Sequence, residues 1–237
     1  MRLKNKYFSF FLFFILAIFS FCKKKEPEPM LKCTTEYDTW FSITQSYLVT
    51  NNMAIPNGRS PFIDLSKWST CSKAPSCVNV NSIWVNGTKL FTYCNWYTLS
   101  YGDTLNQFQH PPFIWQINGT SDFPSFTKAI YDSIPQFYKY NLLPDTISKS
   151  GTTSIQLGGK NADEAIIFIK SNSTNAYFGI ISADSSLYTV NTPTVLVANA
   201  NATLSVTYRK YRDTTVNFKL MKFAVSANYS KVIYVKN

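Results

Sequence analysis

Alternation of apolar and polar residues with a period of two is the feature that most constrains how this 237-residue chain can fold. Leu204, Val206 and Tyr208 alternate with serine and threonine, which indicates a sheet with one face in water. Asn-Gly pairs at 86–87 and 118–119 follow strand-like runs, and Asn-Gly between two such runs is the strongest short signal for a β-hairpin. Because helical periodicity is scarce, the sequence predicts an all-β chain.

Strand-like runs recur about every ten residues, a spacing typical of an antiparallel β-sandwich. Residues 120–150, rich in proline and aromatic residues, are predicted to be a connector without a helix, and Thr192-Pro193 can open one short helix. The strands are predicted at residues 82–85, 88–99, 113–117, 154–157, 165–170, 177–182, 202–211, 216–227 and 231–235.

We expect two β units in the body of the chain. Residues 31–110 contain all the cysteines of the body, whereas residues 111–237 contain none and are long enough to fold alone. Fusion of the two units into one sandwich is the alternative arrangement. The strand pattern resembles the immunoglobulin-like and jelly-roll sandwiches of exported bacterial proteins, although the Cys…Trp…Cys spacing of true immunoglobulin domains is missing. The resemblance implies one or two such units with at most one short helix.

The N-terminal segment has the order of an export signal. Arg2, Lys4 and Lys6 precede an apolar run over residues 7–21. That run has the length of a signal-peptide core and falls short of the roughly twenty residues that span a bilayer as a helix. The charged, proline-punctuated stretch at 26–30 is typical of a tether between a membrane and a domain.

Cys22 directly follows the apolar run and precedes three lysines. This arrangement resembles the lipobox of bacterial lipoproteins, although Phe21 stands where the family has Gly, Ala or Ser. The resemblance implies a signal peptide over residues 1–21, diacylglycerol and palmitate chains on Cys22, and a tether over residues 22–30. It also implies that the protein is an outer-membrane lipoprotein of the bacterial cell envelope, held stably because several acyl chains anchor it.

Four further cysteines indicate two disulfides in an oxidising compartment. Pro75 favours a turn between Cys71 and Cys77, which we therefore pair, and Cys33 with Cys94 follows by elimination. Four cysteines allow three connectivities, so the other two stay open. A zinc ion held by four thiolates is a competing interpretation, but it requires closely spaced C-x2-C pairs, which are absent.

Residues suited to catalysis are scarce. The one histidine, His110, lies in a Gln-His-Pro-Pro loop, and no G-x-S-x-G motif is present. The body has only two glutamates, Glu36 and Glu164, and most of its aspartates adjoin turn residues. The segment 161–164 lacks the dense aspartate pattern of a calcium loop. We therefore expect neither an enzyme nor a bound metal or cofactor.

Two sets of residues are candidates for binding. Trp84 and Trp96, on the two arms of the first hairpin, could form a stacking platform for sugars, or they could pack in the core. Arg209, Lys210 and Arg212 lie on one strand and Lys219 and Lys222 on the next, where they could face an anion or protect a sheet edge from aggregation.

Composition narrows the class of partner. The formal net charge of +10, part of which belongs to the leader, favours anionic surfaces such as lipid headgroups or acidic glycans. We expect no nucleic-acid partner for a lipid-anchored exported protein. The leading hypothesis is a non-catalytic binding or adhesion module, attached to the membrane by its lipid and specific for a carbohydrate or another envelope protein. The alternatives are an assembly subunit of an envelope complex and a hydrolase with an unrecognised site.

Overall fold

The computed structural model describes residues 35–37, 39–64, 68–69, 80–93, 96–98, 110–121, 123–171, 176–191, 196–216 and 219–237. These belong to one compact unit that extends from Thr35 to Asn237. Within them the regular structure is extended, apart from a 3₁₀ turn at Tyr140–Leu142. The strands are β1 (Thr35–Tyr37), β2 (Thr39–Thr50), β3 (Met53–Asp64), β4 (Trp68–Ser69), β5 (Ser82–Val85), β6 (Thr88–Lys89), β7 (Phe91–Tyr93), β8 (Trp96–Thr98), β9 (Phe113–Asn118), β10 (Phe126–Ile130), β11 (Gln136–Phe137), β12 (Thr146–Ser148), β13 (Thr152–Gln156), β14 (Gly159–Lys160), β15 (Glu164–Lys170), β16 (Ala176–Ser182), β17 (Leu187–Asn191), β18 (Ala200–Val216) and β19 (Lys219–Lys236).

A nine-stranded sheet forms one layer of the molecule. Its order is β16-β15-β18-β19-β2-β3-β8-β7, and β12 pairs with the C-terminal end of β19 beyond β2. The hairpin of β18 and β19 is its longest pairing and runs from Ala200 opposite Val235 to Val216 opposite Lys219. Most pairings are antiparallel, as predicted, but β2 and β12 pair with β19 in parallel.

Smaller sheets form the second layer and bury two apolar clusters against the same face of the large sheet. The four-stranded sheet β10-β9-β5-β6 covers the first cluster, which includes Phe41, Trp115 and Phe223. The pairs β13-β17 and β11-β14 contribute to the second, which includes Ile155 and Leu204. Two packed β layers confirm the prediction of an all-β sandwich.

A polar pair separates the two clusters along β2 and β3. Gln45 is 5% exposed and points towards the second layer, and its amide donates hydrogen bonds to the backbone oxygens of Ser46 and Gly58. The Arg59 Nε donates to Gln45 Oε1 at 2.7 Å. The Gln45 side chain is therefore well satisfied where the second layer changes from one small sheet to the next.

The predicted first hairpin is confirmed at its turn but not along its second arm. Asn86 and Gly87 have φ values of 46° and 78°, which fit the predicted type I′ turn between β5 and β6. After Leu90 the chain leaves this sheet, and β7 pairs with β8, which in turn pairs with β3 in the large sheet. The prediction of one continuous arm to residue 99 is wrong because the partner strand β3 is distant in sequence.

Residues 120–150, predicted to be an ordered loop or connector, contain the short strands β10, β11 and β12. The chain between Pro124 and Pro135 includes β10, which pairs with β9 from Phe126 opposite Ile117 to Ile130 opposite Phe113. The prolines mark the limits of short strands and do not exclude them. The predicted strands 216–227 and 231–235 are not separate, because β19 continues from Lys219 to Lys236; Val216 belongs to β18.

The predicted boundary at residues 110–111 does not divide the body into two units. The parallel pairing of β2 with β19 joins Met221–Ser230 to Thr39–Leu48 across that boundary. The first cluster likewise combines Phe41 and Ile63 with Phe113 and Trp115. The structure has the fused arrangement, because strands from both ends of the chain share one sheet. The helix predicted at Thr192-Pro193 lies outside the described residues.

Candidate functional site

One face of the nine-stranded sheet is turned away from both clusters, and we call it the open face. Alternate side chains of β2 show the division, because Phe41 and Ile43 are buried under the second layer whereas Leu48 is 43% exposed on the other side. The strand register aligns the open-face side chains in rows. One row crosses six strands through Phe178, Phe168, Ser205, Ser230, Leu48 and Ile55.

Large apolar side chains are exposed over much of the open face. Phe178 and Ile180 are 59% and 56% exposed on β16, and Val232 is 61% exposed on β19. Large apolar side chains that are exposed on one face of a sheet are candidates for an interaction site. The exposed apolar residues of this face are Leu48, Met53, Ile55, Phe62, Phe91, Phe178, Ile180, Leu220, Val232 and Tyr234.

The centre of the open face is polar and internally hydrogen-bonded. Ser205 and Ser230 join their hydroxyl oxygens at 2.8 Å, and Thr207 donates to Asn228 Oδ1 at 3.0 Å. Short side chains whose hydrogen bonds are made within the sheet leave a low, flat surface between the apolar ends.

Four side chains form an aromatic–cation cluster at one end of the open face: Trp40, Arg209, Tyr211 and Lys222. The Trp40 and Tyr211 rings meet edge to face, with centroids 5.6 Å apart and an interplanar angle of 77°. The Lys222 Nζ lies 4.0 Å from the Tyr211 centroid, and the Arg209 guanidinium lies 5.4 Å from the Trp40 centroid. Both cations are therefore held by ring faces.

Glu164 of β15 completes this cluster. The Tyr211 hydroxyl donates a hydrogen bond to Glu164 Oε1, and Arg209 Nη1 lies 3.6 Å from the same oxygen. Burial raises the pKa of the Tyr211 hydroxyl, and its hydrogen bond to Glu164 raises it further, so Tyr211 stays neutral. The cluster thus has two cations and one carboxylate on a rigid sheet, an arrangement that can attract an anionic group.

The structure separates the three predicted basic residues of β18 into different environments. Arg209 belongs to the cluster, Lys210 pairs with Asp163 at 2.7 Å, and Arg212 binds the Asp132 carboxylate through two hydrogen bonds of 2.7 and 2.8 Å. They do not converge on one anion. Arg209 does not protect a sheet edge, because at this residue β18 pairs with both β15 and β19.

Asp163 fixes the start of β15 against β18. Burial acts to raise the pKa of its carboxyl, but hydrogen bonds from Lys210 Nζ and the Tyr211 amide outweigh burial and hold that pKa below its usual value. The carboxylate is therefore occupied by structural contacts.

Trp84 and Trp96, the predicted sugar platform, belong to different sheets. Trp84 lies on β5 in the four-stranded sheet, where its Nε1 donates to Ser82 Oγ at 3.1 Å and Lys89 Nζ lies 6.0 Å from its ring. Trp96 lies on β8 in the nine-stranded sheet, opposite Asp64. The strands do not form the two-armed platform that the hairpin suggested.

Several predicted sites fall outside the described residues, namely Cys22, Cys33, Cys71, Cys77 and Cys94. The predicted lipid attachment and both disulfides stay predictions. His110 is described and is exposed just before β9.

Sequence reasoning did not predict that Trp40, Glu164 and Tyr211 lie together, and it did not identify the exposed side chains of β16. The sequence did contain a signal for the exposed side chains of β16, because residues 176–182 are apolar at both even and odd positions. A continuous apolar strand fits burial on both faces, or burial on one face and a partner on the other. Trp40 carried no local signal, since its neighbours Arg209 and Lys222 are distant in sequence.

Two shallow depressions lie near the Arg212–Asp132 pair. One, of about 500 Å³, is lined by residues that include Asp132 and Lys160, and the other, of about 400 Å³, by residues that include Asp132, Lys128 and Arg212. Both have oppositely charged residues in their walls.

In the part of the chain that the structure describes, no group of three or more His, Cys, Asp or Glu side chains could hold a metal ion. Within the same ranges, no helix has the length and apolarity to cross a membrane.

Comparisons with known proteins return only distant structural similarity. No protein-family model matches the sequence, and no curated protein matches it. A chimeric titin tandem carrying a fibronectin-derived peptide matches with a TM-score of 0.26 and 11% identity over 86% of this chain and 100% of that chain. Titin domains in complex with telethonin match with a TM-score of 0.23 and 12% identity, again over 86% of this chain and 100% of that chain. A titin immunoglobulin tandem has a TM-score of 0.21 and 8% identity over 84% and 97% of the two chains.

Proposed function

We propose that this chain is a lipid-anchored, non-catalytic binding protein of the bacterial cell envelope and that its open face binds another envelope protein. The observation that carries the proposal is the set of exposed apolar side chains on that flat face. Such a surface suits a protein partner, whether the complex serves adhesion or assembly.

The charges of the open face specify the chemistry of the partner. Among the described side chains of this face, the cations Lys170, Arg209, Lys222 and Lys236 outnumber the carboxylates Glu164 and Asp213. We therefore expect a flat apolar surface bordered by aspartate and glutamate, because complementary charge increases the association rate and selects the partner.

Glycan binding has less support from this geometry. Sugars stack on exposed rings that lie in one plane, whereas Trp40 and Tyr211 cross at 77°. The Tyr211 hydroxyl is also engaged by Glu164.

Site-specific photo-crosslinking in the producing bacterium tests the binding face. A photoreactive residue at Leu48 or Val232 should give an adduct with one envelope protein. The same residue at Tyr131, which is 75% exposed and lies beyond β10 in the other layer, is the matched control and should give none. Equal adducts from Tyr131, or retention on a glycan column without any open-face adduct, would contradict the proposal.

Charge reversal tests the chemistry of the identified partner. The Arg209→Glu/Lys222→Glu double variant should weaken binding at least about tenfold, with most of the loss in the association rate and a smaller loss at high salt. Lys149→Glu is the matched control, because that lysine follows β12 and lies apart from the cluster. Unchanged affinity in the double variant would rule out an acidic partner.

The lipid anchor requires a separate test. The full chain should incorporate labelled palmitate and enter the detergent phase, and Cys22→Ala should abolish both. Continued labelling of the alanine variant would contradict attachment at Cys22.

A further inference from the structure

The strand β16 is the last strand of the nine-stranded sheet, and among the described strands it pairs only with β15. Its sequence, Ala-Tyr-Phe-Gly-Ile-Ile-Ser, contains neither a charge nor a proline. Natural proteins usually protect such an edge with lysine, proline, a bulge or a covering segment, because an unprotected edge pairs with other strands.

The hydrogen-bond pattern shows which backbone groups of β16 face outwards. The Ala183 amide donates to the Asp163 oxygen at 3.3 Å, which continues the register that places Gly179 opposite Ile167. Since successive residues of an antiparallel strand bond to opposite sides, the odd-numbered residues bond to β15. The N–H and C=O groups of Ala176, Phe178, Ile180 and Ser182 are therefore directed to the free edge.

The order of residues around Gly179 is self-complementary. In an antiparallel pair of two β16 strands centred on Gly179, Phe178 lies opposite Ile180 of the second copy, and Ile180 lies opposite Phe178. Phe178 and Ile180 are 59% and 56% exposed, so this pairing would cover apolar area on the open-face side of both copies. Aromatic and β-branched side chains form favourable cross-strand pairs.

Gly179 allows close approach at the centre of this pair. A Cβ at Gly179 would lie 2.3 Å from the Tyr188 hydroxyl oxygen, so glycine already permits β17 to pack beneath β16. At the centre of the pairing, glycine faces glycine with no side chain between the backbones. No like charges meet anywhere along the seven residues.

We propose that β16 pairs antiparallel with β16 of a second copy of this chain, with Gly179 at the twofold axis, to form one continuous sheet. Pairing with a strand of another protein would not require the residues on either side of Gly179 to complement each other. In β16 they do, which favours a second copy of the same strand. This association uses the open-face side chains of β16 only and leaves those of β2 and β19, such as Leu48 and Val232, to the proposed envelope partner.

Sedimentation of the purified full chain in detergent, over a range of concentrations, measures the association. The wild type should show a monomer–dimer equilibrium. The Phe178→Lys/Ile180→Lys double variant should raise the dimer Kd at least about tenfold, because each new lysine would face a lysine of the second copy. Val232→Lys is the matched control, since its side chain is 61% exposed on β19 away from the edge, and it should dimerise as the wild type does.

A second double variant tests the register. Phe178→Glu/Ile180→Lys introduces two charges at the same positions, but places opposite charges across the twofold axis, and should recover most of the association. Circular dichroism should be unchanged in every variant because both side chains are exposed. A wild type that remains monomeric to about 100 μM, or two double variants that associate equally, would overturn the proposal. Loss of partner crosslinking at Leu48 with dimerisation intact would contradict only the proposed function.

Discussion

At the scale of single residues, two buried tyrosine hydroxyls of the large sheet form hydrogen bonds to the backbone of the second layer. Tyr208 is fully buried and accepts a hydrogen bond from the Gly158 amide at 3.0 Å. Tyr229 is 5% exposed and accepts one from the Phe137 amide at 3.3 Å. Burial raises the pKa of each hydroxyl to about 12 although both accept these hydrogen bonds. Each tyrosine therefore resists ionisation in the folded protein.

We predict that alkaline pH destabilises the fold through these tyrosines. Their pKa is higher in the folded than in the unfolded chain, so the stabilisation is complete below pH 10 and is lost as the pH rises from about 10 to about 12. Each tyrosine should contribute about 2 kcal/mol to this loss. Urea denaturation at a series of pH values measures it. In the Tyr208→Phe and Tyr229→Phe variants, the unfolding free energy should fall less steeply as the pH rises. An unchanged pH dependence in both variants would show that other groups cause the loss.

Lys231 is a further polar residue whose burial suggests a measurable effect. Its side chain is 7% exposed, and its Nζ donates to the Leu143 oxygen at 2.7 Å and lies 2.8 Å from Asp145 Oδ1. Asp145 is 87% exposed, so solvent screens the ion pair. The bond to the buried carbonyl should dominate.

We predict that Lys231→Met costs about 1–3 kcal/mol of unfolding free energy because the Leu143 carbonyl loses this donor. Asp145→Asn should cost less than about 1 kcal/mol, because the Asp145 carboxylate is exposed and solvent screens its interaction with Lys231. Urea denaturation of both variants separates the two contacts. An equal loss from the two substitutions would show that the ion pair is the stabilising interaction.

At the scale of elements, the Asn86–Gly87 turn, which the sequence predicts locally, also contacts β9, a strand distant in sequence. Gly87 has φ +78°, and a Cβ there would meet nothing within 4 Å. The side chain of Asn86 also accepts a hydrogen bond from the Ile114 amide at 2.7 Å, which fixes the turn against β9. The cost of substituting the glycine should therefore be backbone strain alone.

We predict that Gly87→Ala destabilises the protein by about 1–2 kcal/mol, the cost of a left-handed conformation for a residue with a Cβ. Gly151→Ala is the matched control, because a Cβ there has its nearest neighbour, Ser148 Oγ, at an ordinary 3.5 Å and the glycine has no positive φ. Thermal denaturation should show a lower Tm for the first variant only. A similar decrease in both would contradict a specific role for the turn.

The local sequence was sufficient to predict strands whose pairing partners are close in the chain. Leu204, Val206 and Tyr208 are buried, as their alternation predicted, and β18 pairs with the strand that follows it. It was insufficient where a strand changes sheet, as after Leu90, because the partner strand β3 is set by tertiary packing. The candidate site was even less predictable. Arg209 was identified from its charge, but Trp40 reaches it only through the pairing of β2 with β19.

At the scale of the molecule, the strand order ties the two ends of the described chain together. β19 lies between β18 and β2, so it needs a strand from near residue 40 to satisfy its outer edge. Phe41 stacks on Phe223 with centroids 4.5 Å apart and packs edge to face against Trp115 at 5.4 Å. The first apolar cluster thus requires residues from both sides of position 110.

We predict that residues 111–237 do not fold alone, contrary to the expectation from sequence. Without β2 and β3, the fragment exposes Phe223 and Val225 and leaves one edge of β19 unpaired along Met221–Ser230. Apolar surface and unpaired strand edges of this kind lead to molten or aggregated states. Expressed alone, the fragment should lack a cooperative thermal transition by circular dichroism. Co-expression with residues 1–110 should recover a soluble complex with one transition, whereas co-expression with residues 1–38, which lack β2 and β3, should not. A cooperative melt of the isolated fragment would show that the parallel pairing of β2 with β19 is dispensable for the fold.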